Sequence, residues 1–220
     1  MASPLFPRGR LEALIDGVSA IAITLLVIEI AVPVVDDLGD GKALLDALQE
    51  LWPSFLAYLI GFMAVGIWWL HHHALFELLR GVDGRFIVLN LVFLMGIGFV
   101  PFTTGLLAEY MGEAGDSRVV AVTVFAGWQL FTALVFDLAW WYAIHDGRLL
   151  RVTPDPPAGR RLLLSLWITP ALWLAILLLG LLSAVVAIGL ILAATVLWLV
   201  WVPLIALPEA SGGVPGPRER

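Results

Sequence analysis

The chain has 220 residues, 61% of them hydrophobic and 14% charged, with a net charge of −6 and no cysteine. A soluble domain carries about a quarter charged residues, so this composition, with a mean hydropathy of +0.98, places the protein in a lipid bilayer. The missing cysteines exclude disulfides, thiolate catalysis and cysteine-based metal sites.

A membrane span needs about 20 predominantly apolar residues. The sequence predicts an all-α integral membrane domain over residues 1–206 with six spans, near 11–33, 52–73, 86–108, 119–144, 162–181 and 184–206. The last two come from one uncharged stretch, Leu162 to Ile205, too long for one crossing at ~1.5 Å per residue; Gly180 to Ser183 is the expected turn. Pro170 and Pro203 are expected to kink or end helices. Residues 207–220, rich in Pro and Gly, predict a disordered cytoplasmic tail. Nothing before the first span resembles a cleavable signal, so that span is expected to stay as a signal anchor.

Orientation follows from the basic residues. With six spans, one side holds Arg8, Arg10, Arg80, Arg85, Arg148, Arg151, Arg160, Arg161, Arg218 and Arg220, and the other holds Lys42 and Arg118. Basic residues accumulate on the cytoplasmic side, which predicts a multi-pass protein of the cell (inner) membrane with both termini cytoplasmic. The outward loops are acidic, with Asp36, Asp37, Asp40, Asp46 and Glu50 before span two and Glu109, Glu113 and Asp116 before span four. They read either as solvated loops or as an entrance that concentrates cations.

Span one carries Asp16 and Glu29 around a charge-free run. Wound as a helix at ~100° per residue, Ile21, Leu25 and Ile28 form one stripe, extended by Leu14, Gly17 and Val32, with Thr24 at its edge. Asp16 projects from nearly the opposite side. Periodicity alone leaves that stripe facing lipid or another helix. Span two ends in His71, His72 and His73, whose side chains diverge by ~100° each on a helix and so do not converge on one metal ion. They read either as an interfacial cluster in headgroup water or, with Asp16 and Arg10 at the same end, as a hydrogen-bonding group that Asn90 of span three can join. Pro101 lies in the outer half of span three beside Thr103 and Thr104. Span four adds Gln129 and Asp137, an acid within the span boundaries that either partners another helix or lies near the cytoplasmic interface. No GxSxG, HExxH or phosphate-loop signature is present, so an enzyme is not expected.

Three motifs carry a resemblance. Arg10, Asp16, Gly17, Val18, Ala20 and Ile21 match a first-helix signature of arginine, spacer, then Phe-Ser-Asp-Gly-Val-Phe-Ala-Ile. Trp69, His72, His73, Leu75 and Phe76 match Trp-x-x-His-His-x-Leu-Phe, and Leu89, Asn90, Phe93, Pro101, Phe102 and Thr104 continue the match in span three. In this order they resemble the transmembrane protein 175 family. Leu14, Ile15 and Ser19 depart from the usual Phe, Ser and Phe.

The resemblance implies a potassium-permeable channel that is a homotetramer, with four copies of span one lining a central pore. It implies no pore loop of the TVGYG kind, and this sequence has none. Carried over by position, Ile21, Leu25 and Ile28 become the constriction and Thr24 the polar residue beside it. Arg10, Asp16, Trp69, His72, His73 and Asn90 become the supporting hydrogen-bond network. Potassium or another monovalent cation is then the permeant ion, the partners are lipid and further copies of the chain, and neither a cofactor, a resident metal nor nucleic acid is expected. The alternative is a proton- or cation-coupled secondary transporter built on Asp16, Glu29 or Asp137.

Overall fold

The computed structural model describes residues 5–35, 40–151 and 166–205. Arg160, Arg161, Arg218 and Arg220, the acids Asp36 and Asp37, and the tail 207–220 lie outside them. Every regular element among the described residues is helical. The helices are α1 (Gly9–Leu25), α2 (Gly41–Glu50), α3 (Trp52–Phe76), α4 (Gly84–Gly98), α5 (Val100–Tyr110), α6 (Asp116–Asp146), α7 (Ile168–Leu182) and α8 (Ala184–Ile205).

Four helical stretches are long and apolar enough to cross a bilayer: Gly9–Glu29, Trp52–Phe76, Gly84–Tyr110 and Asp116–His145. This makes the chain a multi-pass membrane protein. At 1.5 Å per residue the 25 residues of α3 reach ~38 Å, more than the ~30 Å hydrocarbon core. The 15 residues of α7 reach ~22 Å, and residues 162–165, expected to begin that span, are outside the described part. The break between α7 and α8 falls at Ser183, whose extended backbone ends one helix while its hydroxyl accepts from Val186 N at 3.4 Å.

The third long stretch is two helices in line. Pro101 occupies the first turn of α5, and α4 ends at Gly98 with Phe99 as its cap. Proline lacks the N–H that would continue the ladder. Thr103 Oγ1 donates to Val100 O at 3.0 Å, satisfying a carbonyl at the break.

Two apolar clusters hold the bundle. Toward the end that carries the N-terminus, Trp68, Phe76, Phe86, Phe93, Phe136 and Trp140 pack ring on ring from α3, α4 and α6. Toward the other end, Ile60, Leu107, Phe125, Ile176 and Ile191 join α3, α5, α6, α7 and α8.

The N-terminal end is tied by loops. Phe6 pairs antiparallel with Val82 through bonds of 2.7 and 3.0 Å, and Arg80 N and Arg151 N bond Leu149 O and Leu78 O. Gly147 closes α6 with φ 68°, a left-handed conformation that favours glycine. Asp83 caps α4 through Phe86 N at 2.9 Å and also accepts from the Tyr142 hydroxyl at 2.7 Å and from Arg148. Asp83 is fully buried. Burial alone would raise its carboxyl, but the Phe86 N–H, the Tyr142 hydroxyl and the Arg148 guanidinium together hold it below the usual carboxylate range.

Candidate functional site

α1 divides into two faces. Leu11, Ile15, Ala22 and Leu26 are buried against the rest of the subunit, spaced at helical intervals. The opposite face is open. Ile21 is 61% exposed, Leu25 42% and Ile28 72%, and Leu14, Gly17 and Thr24 are exposed with them. After Leu25 the helix tightens into a 3₁₀ turn, Leu26–Glu29. Three residues per turn carry Ile28 over Leu25, so the stripe stays continuous across the change of winding. Residues 31–35 are not helical; the helical winding therefore stops short of Val32, and the stripe ends at Ile28.

Thr24 donates its hydroxyl proton to Ile21 O at 2.9 Å. The proton is thus turned into the helix.

Besides its packed face, α1 is held by contacts at its two ends. At the start, Arg8 bonds Phe76 O and pairs with Glu77 at 3.4 Å across the end of α3. Near the other end, Leu26 lies against Gly61 and Thr104. A Cβ at Gly61 would stand 2.9 Å from Leu26 Cδ2 and 2.6 Å from Thr104 Oγ1; only glycine permits that approach.

The expected single network of Arg10, Asp16, Trp69, His72, His73 and Asn90 is divided within the chain. Trp69 Nε1 donates to Asp16 Oδ1 at 2.8 Å, and His73 stacks on the Trp69 ring at 5.6 Å. This group is on the exposed side. His72 instead turns inward, where Nε2 meets Asn90 Oδ1 at 3.2 Å and Asn90 Nδ2 donates to Phe86 O at 2.8 Å. Both residues are buried, and the His72 ring lies between Phe76 and Phe93. Arg10 is exposed and bonds to none of these side chains within the described residues. Arg8 makes the arginine contact between α1 and α3.

The three intramembrane acids do not share a site. Asp16 is engaged by Trp69. Glu29 stands over Gly105, where its carboxylate occupies the space a side chain would need. Asp137 is on α6. The residues whose contacts sequence reasoning passed over are Arg8, Asp83, Tyr142 and Arg148. Asp83, directly before Gly84 and the apolar run that follows, carries an N-cap signal; the others carry none.

The family model described as endosomal/lysosomal potassium channel TMEM175 matches residues 10–101, which contain α1 from its second residue and both histidine groups. A potassium channel of Streptomyces collinus is 43% identical over 152 residues, 69% of this chain and 72% of that protein. An endosomal/lysosomal proton channel TMEM175 of Gallus gallus is 34% identical over 64% of this chain but only 28% of its own length. The crystal structure of a lysosomal potassium-selective channel TMEM175 homologue from Chamaesiphon minutus superposes with a TM-score of 0.77 at 35% identity, covering 88% of this chain and 97% of that one. Identity at this level over most of a relative's length, with the same fold, establishes that the chain belongs to the TMEM175 family.

Proposed function

We propose that the protein is a passive, potassium-permeable cation channel of the cell membrane. In this reading the domain crosses the bilayer six times with both termini cytoplasmic, and four copies assemble with α1 around a central path. The observation that carries it is the open apolar face of α1. Ile21, Leu25 and Ile28 are exposed, while the other side of the same helix is packed into its own subunit. The relatives named as potassium channels support the choice of ion.

Rings of branched aliphatic side chains form a hydrophobic constriction that gates by dewetting and strips part of an ion's hydration shell. Apolar rings return no oxygen ligands for the water removed. Thr24, exposed beside the stripe with its proton committed to Ile21 O, supplies hydroxyl oxygens beside the constriction, and moderate selectivity for potassium over sodium follows. Glu29, on the turn above Ile28, adds negative charge at the outer side.

The test is conductance in a reconstituted bilayer. Ile21→Asn and Leu25→Asn are each expected to raise single-channel conductance and lower the potassium-to-sodium permeability ratio. Unchanged currents in both variants would remove α1 from the pore.

A further inference from the structure

Asp137 sits in α6, nine residues before the helix end at Asp146, or ~14 Å along the axis. It is 8% exposed. Its Oδ2 is buried without a hydrogen-bond partner, and no ion pair reaches it among the described residues. Asp137 lines a groove of about 400 Å³ together with Leu134, Leu138, Trp141, Leu166 and Trp167. That volume is within the ~300–1,000 Å³ range of small-molecule sites.

The chemistry of the lining narrows the occupant. Leu134, Leu138, Trp141 and Trp167 are 45%, 50%, 46% and 63% exposed; they form an outward rim, so a ligand enters from the lipid. Leu134, Asp137, Leu138 and Trp141 follow i, i+3, i+4, i+7 on one face of α6. One carboxylate asks for one positive charge. The two indoles can hold a cation against their faces. The leucines accept an alkyl chain. Among the described residues the lining has no cationic side chain for a phosphate, which disfavours a zwitterionic phospholipid headgroup.

We propose that this groove binds a hydrophobic ammonium ion, a single-chain alkylamine dissolved in the membrane. Its ammonium group pairs with Asp137 between Trp141 and Trp167, and its chain lies along Leu134 and Leu138. The site is independent of α1, and the proposal does not rest on the channel reading.

The full-length protein in phosphatidylcholine vesicles is photolabelled with a diazirine-bearing dodecylammonium probe, and labelled peptides are mapped by mass spectrometry. Labelling of the segment around 134–141 is expected, competed by excess dodecylammonium but not by dodecanol. Asp137→Asn and Asp137→Leu are expected to reduce it at least tenfold, with labelling elsewhere on the chain unchanged as the check on folding. Equal labelling of the Asp137 variants, or equal competition by dodecanol, would overturn the proposal by reducing the site to a greasy groove. Labelling that is absent from the wild-type protein overturns it too. If it then emerges in an Arg160→Ala/Arg161→Ala variant, an arginine of the chain itself is the cation on Asp137.

Discussion

Replacing Asp83 with alanine tests what holds the N-terminal end of the bundle together. The substitution removes a helix cap, worth ~1 kcal/mol, and two hydrogen bonds to a carboxylate, each worth ~1.5–3 kcal/mol. The Arg148 side chain is 23% exposed while Asp83 is 1%, so solvent weakens that pair and the lower figure applies. The expected loss is about 4 kcal/mol. For a chain of this size each kcal/mol moves Tm by ~2–4 °C, giving a fall of about 8–16 °C in scanning fluorimetry of the detergent-solubilised protein at pH 7. Asparagine keeps the cap and a neutral acceptor for Tyr142, so Asp83→Asn should fall by about half as much.

The pH dependence has a definite sign. Asp83 is held below its unfolded value; its contribution is therefore complete above that value, ~3.9, and is lost as pH falls through the lower folded value. The gap in Tm between wild type and Asp83→Asn is expected to stay level from about pH 7 to 5 and to close below about pH 4. An alanine variant within about 2 °C of wild type, or a gap that widens on acidification, would refute this account of the cluster.

Three further substitutions address the helices around α1. His72→Phe and Asn90→Leu each leave a buried polar atom without its partner and should each cost ~1–3 kcal/mol, whereas the double variant should be less damaged than the two effects added, by ~1 kcal/mol; strict additivity in thermal unfolding would show that the 3.2 Å contact carries no energy. Gly61→Ala places a methyl group 2.6 Å from Thr104 Oγ1 and 2.9 Å from Leu26 Cδ2, an overpacking that should cost ~1–3 kcal/mol and displace the outer end of α1. A lowered Tm with altered single-channel conductance is expected, and a variant that matches wild type in both would show that the approach is not tight.

Much of the fold was legible because hydropathy and the exclusion of charge act on whole helices. The α1 stripe was legible for the same reason: period and side-chain type put Ile21, Leu25 and Ile28 on one face, and the structure leaves that face open. The hydrogen-bond network was less legible. His72 and His73 are adjacent on a helix and diverge by ~100°, which already forbids a shared partner; one turns to Asn90 and the other to Trp69. Arg10 and Arg8 are two residues apart, and only the start of α1 at Gly9 decides that Arg8, just outside the helix, reaches α3 while Arg10 points away. The Asp83 cluster joins residues up to 65 apart in sequence, and local patterns say nothing about such distances.

The two attachments of α1 constrain how its exposed face can move. One end is riveted to α3 through Arg8, and the other is wedged by Leu26 into the recess at Gly61. A rod pinned at both ends has little freedom to swing or slide alone. Repositioning Ile21, Leu25 and Ile28 within the subunit therefore has to break the Arg8 contacts at one end or draw Leu26 out of the Gly61 recess at the other.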